Sequence, residues 1–345
     1  MAGYDYVVFI GRFEPFHLGH LAVLRRALEL APRAIVLIGS ADAPRSARNP
    51  WTFEERAVMI RAALDGDADR LILRPLVDHL YNETAWVAEV QDQVAAAIVA
   101  DKGAPNARVA LIGHEKDATS YYLRAFPQWE LADVEQVAML SATDLRRQLF
   151  ADEAGGRRLL EANTPPAVHA MLAAFRQTEP FARVAEEFRY VEDYRKAWAA
   201  APYPPTFVTA DAVVVHSGHV LLVKRRAAPG RGLWALPGGF VNQDETVLDA
   251  AIRELREETR LKIPAPVLRG SLKGQAVFDH PDRSQRGRTI THAFHFEFPS
   301  GPLPAVRGTD DALRARWMPV AEARRLRPNL FEDHFFILEH FLGAS

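Results

Sequence analysis

The sequence contains no cysteine, which excludes disulfide bonds, thiolate nucleophiles and cysteine-ligated zinc. Its 42 Lys and Arg residues nearly balance its 44 Asp and Glu residues, for a formal net charge of -2. This near-neutral charge does not indicate the basic surface with which proteins bind nucleic acids or membranes. The N-terminus has no basic leader, and its apolar run is too short for a signal peptide or a membrane-spanning helix. We therefore expect a cytoplasmic protein without nucleic-acid or membrane partners.

The length and the composition of the chain favour two globular domains. The chain has 345 residues, of which 48% are hydrophobic and 25% charged, enough to bury two cores of ordinary size. An amphipathic helix is predicted for Phe181 to Ala201, and it ends in the proline-rich stretch APYPPT, which cannot continue a helix. We therefore predict one domain over residues 1–180, a helical linker over 181–205 and a second domain over 206–345.

The first domain alternates predicted strands with predicted helices. Apolar runs with β-branched residues predict strands at Tyr6 to Ile10, Ala34 to Ile38, Leu71 to Leu73, Val109 to Ile112 and Val134 to Leu140. One helical pattern follows the first predicted strand, and another lies between the third and the fourth. This alternation predicts parallel βαβ units in a doubly wound sheet, where ligands bind at the carboxyl ends of the strands.

The turn GRFEPFHLGH follows the first predicted strand directly. Gly11 allows the backbone to approach a ligand, and the helix that begins at Leu18 directs free N–H groups towards it. His17 and His20 lie three residues apart in the entry turn and can face one bound phosphate. The turn resembles the first signature of the nucleotidylyltransferase superfamily, in which the two histidines stabilise charge that develops on a triphosphate.

A second turn, SATDLR, precedes a helix later in the domain. Ser141 or Thr143 can cap this helix, and Arg146 adds a bidentate donor for phosphate oxygens. The turn resembles the second signature of the same superfamily. Each turn alone is also typical of an ordinary helix N-terminus, but the pair, separated by about one domain length, favours a nucleotide site.

Three stretches between these turns resemble the nicotinamide mononucleotide (NMN) adenylyltransferases, namely NPWTFEER, VDHLYNETAW and LIGHEKDATSYYLRAFPQW. The resemblance implies that Trp86 stacks on the nicotinamide ring, while the helical pattern around it is equally typical of a core residue. It further implies substrate contacts from these residues: Gly11, Arg12, Phe13, Arg56, Asp78, Asn82, Ser141 and Thr143. Glu14 departs from the more frequent Gln of that family, so we expect it either to face away from the phosphate site or to pair with Arg12.

The stretch Gly239 to Leu261 carries the strongest motif of the second domain. Apolar residues at intervals of three and four predict a helix, and Glu254, Glu257 and Glu258 fall within an arc of roughly 100° beside its apolar face. Three neighbouring carboxylates repel one another unless a hard cation such as Mg²⁺ binds them. The stretch resembles the Nudix hydrolase signature, which implies Gly239, Glu254, Glu257 and Glu258 as metal ligands and Arg253 as a catalytic residue.

One position of the motif departs from that signature. Arg260 stands where Gly is usual, and Gly favours the left-handed conformation that ends many helices. The sequence alone therefore does not determine the backbone conformation at the end of this helix.

The rest of the second domain is predicted to form a mixed sheet with a C-terminal helix at Glu332 to Phe341. Strands are predicted for a hairpin that turns at Ser217 and Gly218, and for Val267 to Leu272, Gln275 to Phe278, Thr289 to Phe298 and Arg314 to Met318. The resemblance also implies weaker candidates. Trp234 or Phe240 would stack on adenine, and Asp310 or Asp311 would bind substrate or metal. The arginines Arg283, Arg286 and Arg288 would contact the diphosphate or the terminal ribose.

Over its whole length the sequence resembles the bifunctional NMN adenylyltransferase/ADP-ribose pyrophosphatase proteins. The resemblance implies an α/β protein: a Rossmann-like nucleotidylyltransferase domain followed by a Nudix α/β/α domain. It implies ATP, NMN or NAD and ADP-ribose as ligands, and Mg²⁺ as cofactor with Mn²⁺ as the alternative. A homo-oligomer is compatible with it. Two other interpretations stay open: a Nudix domain that senses its ligand without hydrolysing it, and an N-terminal domain that adenylylates another phosphorylated acceptor.

Overall fold

In the computed structural model, the residues described are 3–113, 123–132, 134, 141–151, 155–309 and 312–343. The chain divides into two compact units, Met1–Ala185 and Glu186–Ser345. Within the described ranges, no helix combines the length and the apolar character needed to cross a membrane.

The first unit is built on a five-stranded parallel sheet in the order β3-β2-β1-β4-β5. Its strands are β1 (Tyr6–Gly11), β2 (Arg33–Ile38), β3 (Leu71–Pro75), β4 (Val109–Ile112) and β5 (Glu130–Ala132). Its helices are α1 (Leu18–Leu30), α2 (Phe53–Leu64), α3 (Glu83–Ala100), α4 (Ala142–Ala151), α5 (Gly156–Asn163) and α6 (Pro166–Phe175). The strand predicted for 134–140 lies almost entirely outside the described residues.

The strand order reverses at β1, because β2 and β3 extend the sheet on one side of it and β4 and β5 on the other. A crevice forms outside the carboxyl ends of the strands at such a switch point. The loop that leaves β1 there is Gly11 to His17, so the doubly wound sheet predicted from the sequence is confirmed and positions this loop at the ligand-binding edge.

The helix α7 (Glu179–Ala197) contributes residues to both units, and its C-terminal half packs on the second unit. The Glu187 carboxylate accepts a hydrogen bond from the Gly230 N–H at 2.9 Å, and Glu186 pairs with Arg231 at 2.6 Å. The rings of Tyr194 and Trp198 contact Phe207 edge-to-face at 5.5 Å and 5.3 Å. Tyr194 and Trp198 therefore anchor the end of α7 to the start of β6.

The second unit contains a mixed sheet in the order β10-β11-β6-β7-β12. Its strands are β6 (Phe207–His216), β7 (His219–Arg225), β8 (Trp234–Ala235), β9 (Gly238–Phe240), β10 (Leu272–Phe278), β11 (Thr289–Phe298) and β12 (Ala312–Pro319). Its helices are α8 (Val247–Thr259), α9 (Ala265–Gly270), α10 (Val320–Ala323) and α11 (His334–Leu342). The sheet has a helix on each face, since α8 packs on one buried cluster and α11 on another.

One predicted strand is wrong. The residues from Val267 to Gly270 belong to the short helix α9, and β10 begins only at Leu272. Pro264 precedes the helix and initiates it, because its fixed φ of -61° suits a helix entry and its missing N–H is not needed there. The local effect of proline outweighs the strand preference of Val267 and Leu268.

Arg260 adopts the conformation that Gly would supply. Its φ of 53° and ψ of 26° lie in the left-handed region, and its N–H donates to the Arg256 carbonyl to close α8. A side chain other than Gly costs roughly 1–2 kcal/mol in that conformation. The helix α8 therefore ends at the position that the motif requires, and the left-handed conformation of Arg260 lowers the stability of the fold.

The variant Arg260→Gly is expected to be more stable than the unaltered protein by about 1 kcal/mol or less, because the relief of left-handed strain exceeds the added freedom of the unfolded chain. The midpoint of guanidinium unfolding, followed by tryptophan fluorescence, measures the change. Lys262→Gly is the matched control, since Lys262 is exposed and has no positive φ. A lower midpoint for Arg260→Gly than for Lys262→Gly would contradict the argument.

Candidate active sites

The first site is the loop from Gly11 to His17 at the carboxyl end of β1. Gly11 is required by packing, since a Cβ there would lie 2.8 Å from the Phe13 ring. Phe13 has a φ of 57° and is buried, and its ring packs edge-to-face on Phe9 and His20. The sequence predicts Phe13 as a substrate contact, but the structure places its ring in the core beneath the loop.

The two histidines of the motif are held as a pair. Their rings stack with centroids 3.6 Å apart. His17 caps α1, and its Nδ1 accepts hydrogen bonds from the N–H groups of Gly19 (3.1 Å) and His20 (3.4 Å). The His17 N–H in turn donates to Nδ1 of His20 at 3.4 Å. Because each Nδ1 accepts, the proton of each neutral ring resides on Nε2, which makes both Nε2–H groups donors suited to phosphate oxygens.

The second turn is joined to this loop by one arginine. Ser141 caps α4, since its Oγ accepts from the Asp144 N–H at 3.2 Å and Asp144 Oδ2 accepts from the Ser141 N–H at 3.1 Å. Arg146 donates to the Glu14 carbonyl at 2.6 Å and to Thr143 Oγ1 at 3.1 Å. The structure therefore brings the two predicted signatures together although 132 residues separate Glu14 from Arg146.

Arg146 itself is buried in this arrangement. Desolvation and the nearby Arg12 lower the pKa of its guanidinium to about 10. The cations Arg12 and Arg48 thus lie close enough to Arg146 to disfavour its charge, and such a cluster favours an anionic ligand.

Glu14 and Arg56 form a buried pair beneath the loop. Their side chains are each 1% exposed, and Arg56 Nη1 lies 3.3 Å from Glu14 Oε1. The Trp51 N–H donates to Glu14 at 3.2 Å. Glu14 therefore faces inward and pairs with Arg56, and the charges of Arg146 and Arg12 also favour its ionised form.

The predicted phosphate contact of Arg56 is not supported by this position. Its guanidinium donates to the backbone carbonyls of Arg12 (2.8 Å), Gly39 (2.6 Å) and Ser40 (3.2 Å). These bonds brace the ends of β1 and β2 against each other. The sequence could not separate this bracing from ligand binding, because both need a cation near the strand ends.

We expect the stability of the protein to depend on pH through Glu14. Burial raises the pKa of Glu14 to about 7, against the opposing charge of Arg56. A raised carboxyl pKa contributes stability that is complete below pH 4.5 and is lost as pH rises through about 7. Between pH 5 and pH 8 the unaltered protein should therefore lose up to about 3 kcal/mol relative to Glu14→Gln, which has no such proton to release.

Chemical denaturation of both proteins at pH 5 and pH 8 measures this difference. Glu29→Gln on α1 is the matched control, because the Glu29 side chain is 63% exposed. Parallel pH profiles for the unaltered protein and Glu14→Gln would contradict the expectation.

The residues predicted to bind the acceptor surround the start of α3. Asn82 caps this helix through a hydrogen bond from the Ala85 N–H at 3.0 Å. Trp86 is partly buried against the core, and its ring lies 6.1 Å from that of Phe126. Asp78 lies near Arg56, whose charge it favours. The structure thus gives Trp86 a packing role and leaves its part in stacking a prediction.

The second site is built on α8 around Arg253. Its guanidinium donates to Glu245 (2.7 Å), Glu254 (2.7 Å) and Glu257 (3.1 Å), and to the Phe240 carbonyl (3.1 Å). The hydrogen bond from Arg253 is the main cause that lowers the pKa of Glu245 to about 2. Arg253 therefore gathers the acidic residues of the motif and ties them to the loop after β9.

Two glycines of β9 allow this strand to approach the acidic helix. The Gly238 N–H donates to Glu258 Oε2 at 3.1 Å, and a Cβ at Gly239 would overlap the carboxylate of Glu254. Burial raises the pKa of Glu254, and it raises that of Glu258 to about 8, with the charges of Glu254 and Asp211 adding to the effect. A nearby cation would stabilise the ionised form of both buried carboxylates.

The donor set fits a hard divalent cation. Carboxylate oxygens of Glu254, Glu257 and Glu258, with the Gly239 backbone beside them, are the ligand type that Mg²⁺ and Mn²⁺ prefer. Within the part of the chain that the structure describes, no three His, Asp or Glu side chains already converge as in a metal site. Arg253 donates to Oε1 of Glu254 and to Oε2 of Glu257.

A buried polar network behind the motif was not predicted. Asp211 on β6 accepts from Thr291 Oγ1 at 2.5 Å and lies 3.9 Å from His334 Nε2. His334 Nδ1 accepts from the Leu236 N–H at 2.8 Å, which supports the backbone just before the two glycines. Burial lowers the pKa of His334 to about 3 and raises that of Asp211. The only signal in the sequence is one acidic residue within an apolar strand.

The weaker candidates of the second unit are dispersed. Arg283 is buried in a bidentate pair with Asp333 at 2.9 Å and 2.8 Å, which does not support its predicted contact with substrate. Trp234 packs on the core beside α11, with Lys224 Nζ 5.9 Å from its ring centroid. Arg288 pairs with Asp279 at 3.6 Å. Asp310 and Asp311 lie outside the described residues.

The comparisons with known proteins agree with this geometry. The chain matches the NUDIX domain family over residues 205–341 and the cytidylyltransferase-like family over residues 8–147. A crystal structure of a bifunctional NMN adenylyltransferase/ADP ribose pyrophosphatase from Francisella tularensis is 36% identical, with a TM-score of 0.91 over 99% of both chains. Another, complexed with AMP and a Mn ion, is 35% identical, with a TM-score of 0.90 over 99% of both chains.

Sequence comparison finds relatives with one of these activities. A nicotinamide/nicotinic acid mononucleotide adenylyltransferase from Acinetobacter baylyi is 34% identical over 191 residues, which are 55% of this chain and 96% of that protein. An ADP-ribose pyrophosphatase from Methanocaldococcus jannaschii is 35% identical over 135 residues, which are 39% of this chain and 72% of that protein.

Proposed function

We propose the function from one premise: the chain belongs to the family of bifunctional NMN adenylyltransferase/ADP-ribose pyrophosphatase proteins. The first unit transfers the adenylyl group of ATP to NMN, which gives NAD and pyrophosphate. The second unit hydrolyses ADP-ribose to AMP and ribose 5-phosphate. The observation that carries both activities is the presence of both motifs, each on the fold of its family, in a chain that matches a bifunctional relative along 99% of its length.

In the first reaction an oxygen of the NMN phosphate attacks the α-phosphorus of ATP, and the bond from that phosphorus to the pyrophosphate oxygen breaks. The Nε2–H groups of His17 and His20 donate to the departing pyrophosphate, where negative charge develops. Arg146, with Ser141 and Thr143 at the start of α4, holds the triphosphate from the other side. No covalent enzyme intermediate is needed, because positioning and charge stabilisation suffice for in-line transfer.

Contacts to the substrates come from the loop and from α3. Gly11 and Arg12 approach the phosphates at the carboxyl end of β1. Asp78, Asn82 and Trp86 flank the acceptor at the start of α3. Arg56 acts indirectly, because it braces the backbone of Arg12 and the end of β2.

In the second reaction a water oxygen attacks one phosphorus of ADP-ribose, and the bridging P–O bond breaks. Glu254, Glu257 and Glu258 with the Gly239 carbonyl would hold a divalent cation, proposed to be Mg²⁺ with Mn²⁺ as the alternative. When bound, the cation lowers the pKa of the attacking water and offsets the charge of the diphosphate. Arg253 bonds both to Glu245 and to the Phe240 carbonyl, and these bonds hold the acidic side chains against the end of β9.

An assay of the purified protein with Mg²⁺ tests both activities at once. One mixture contains NMN and ATP, the other ADP-ribose alone, and chromatography separates the products. We expect NAD in the first and AMP in the second. NAD without AMP would overturn the hydrolytic function and favour a sensor, whereas AMP without NAD would point to another phosphorylated acceptor for the first unit.

A further inference from the structure

Between β8 and β9 the chain crosses from one strand of the sheet to another. Ala235 at the end of β8 pairs with β7, whereas Gly238 at the start of β9 pairs with β6. Leu236 and Pro237 make the crossing, which leads directly into the two glycines of β9. The Gly238 N–H then donates to the Glu258 carboxylate at 3.1 Å. The course of the crossing therefore sets how β9 lies against the acidic helix α8.

One side chain from outside the sheet holds this crossing. The Leu236 N–H donates to Nδ1 of His334, the first residue of α11, at 2.8 Å. Leu236 and His334 are 1% and 5% exposed, so solvent has little access to this bond. A buried N–H that loses its acceptor is strongly unfavourable. Loss of the His334 acceptor is therefore expected to displace the backbone of the crossing.

His334 is in turn oriented by Asp211. Burial lowers the pKa of His334 to about 3, so its ring is neutral, and because Nδ1 accepts, the proton resides on Nε2. Nε2 lies 3.9 Å from Asp211 Oδ1, and Asp211 Oδ2 accepts from Thr291 Oγ1 at 2.5 Å. A Cβ at Gly238 would overlap Asp211 Oδ1. Asp211 thus contacts the start of β9 directly, while His334 holds the residue just before the crossing proline.

The stability of the fold does not by itself require these polar groups. Asp211 stands on β6 between Ala210 and Ala212, which are fully buried. Replacement of a buried polar or ionic pair by well-packed apolar residues is often neutral or stabilising. Residues that orient metal ligands from behind, by contrast, commonly change metal affinity or activity about 10- to 100-fold. The contacts of Asp211 and His334 end on the backbone that leads into Gly239, a proposed ligand.

We propose that His334 and Asp211 are positioning residues for the cation site of the second unit: they fix the crossing between β8 and β9, and with it the Gly239 carbonyl beside Glu258. Neither side chain would touch the cation or the substrate. The proposal rests on the hydrolytic function proposed above and gives the start of α11 a part in it. Loss of the His334 acceptor should therefore weaken cation binding.

Binding of Mn²⁺ to the full-length protein without nucleotide tests the proposal, with free Mn²⁺ measured by electron paramagnetic resonance. The double variant Glu254→Gln/Glu257→Gln is the blank, because it lacks two proposed ligands. His334→Leu removes the acceptor at similar size, and its dissociation constant for Mn²⁺ is expected to rise about tenfold or more. In His334→Asn the amide oxygen can accept from the Leu236 N–H, so the constant should stay within about threefold of the unaltered value.

Two further variants separate positioning from stability. His216→Leu is the matched control, because His216 is 7% exposed and lies at the end of β6 that β9 does not reach. It should bind Mn²⁺ like the unaltered protein even where its midpoint of unfolding falls. Thr291→Val keeps the shape of the side chain and removes the donor to Asp211. It should raise the dissociation constant about threefold or more.

An unchanged constant in His334→Leu would overturn the proposal, as would equal weakening in His334→Asn or in His216→Leu. If His334→Leu does not fold, Thr291→Val decides the question, and unchanged Mn²⁺ binding by that variant overturns the proposal. The Mg²⁺ concentration for half-maximal hydrolysis should follow the same order among the variants. The proposed function fails separately, if the unaltered protein binds Mn²⁺ at the acidic helix but does not hydrolyse ADP-ribose.

Discussion

Replacement of Glu257 by Gln is expected to lower the rate of ADP-ribose hydrolysis by at least about 100-fold while the rate of NAD formation stays the same. The substitution keeps the size of the side chain and removes the charge of one proposed metal ligand, and even residues behind such ligands are worth 10–100-fold. Glu257 is the best of the three glutamates for this test, because its side chain is 60% exposed and its ion pair with Arg253 lies at the surface. Loss of this surface pair costs about 1 kcal/mol of stability or less.

Initial rates of AMP release at several Mg²⁺ concentrations measure the effect, and excess Mg²⁺ should restore part of the rate if the defect lies in metal binding. Glu297→Gln is the matched control, since Glu297 is an exposed residue on β11 of the same unit. Turnover by Glu257→Gln at the rate of that control would contradict the catalytic role of the acidic helix. It would favour a unit that binds its ligand without hydrolysing it.

The sequence predicted the architecture well because both folds carry strong periodic signals. The strands at 109–112 and 289–298 have the predicted bounds, and the hairpin turn at Ser217 and Gly218 has a positive φ at both positions. A short apolar run bounded by turn residues is a local signal, so one sequence suffices to find it. The prediction of a strand at Val267 is wrong. The apolar run there does not reveal that Pro264 initiates a helix.

The sites were predicted less completely, since a motif names residues without stating which way they face. His17, His20 and Arg146 were expected at one edge of the sheet, and the bond from Arg146 to Glu14 confirms that the two turns meet. Arg56 and Arg283 were expected to face a ligand, yet both are buried and paired with carboxylates. A guanidinium that braces a loop and one that binds phosphate look alike in sequence. The contact between Asp211 and His334 depends on long-range packing between β6 and α11, and its only local signal is one acidic residue within an apolar strand.

Replacement of His20 by Ala is expected to lower the rate of NAD formation by about 100- to 1,000-fold while ADP-ribose hydrolysis is unaffected. The effect follows from the loss of one preorganised donor to the charge that develops on pyrophosphate. His20 is preferable to His17, because Nδ1 of His17 also caps α1 and its removal would cost about 1 kcal/mol of stability as well. The loss should appear mainly in kcat, since the donor acts most strongly in the transition state.

Steady-state rates with NMN and ATP measure this loss, and the hydrolytic rate of the same preparation serves as the internal control for folding and concentration. His20→Asn is the informative second variant: its amide can retain the bond from the His17 N–H and still present a neutral donor, so it should recover part of the rate that Ala loses. A His20→Ala protein that forms NAD at the unaltered rate would remove the histidine pair from the mechanism. A change confined to KM for ATP would instead assign His20 to binding of the triphosphate in the ground state. Together with Glu257→Gln, the result decides whether each reaction depends only on its own motif, because each variant should slow one reaction strongly and leave the other as its reference.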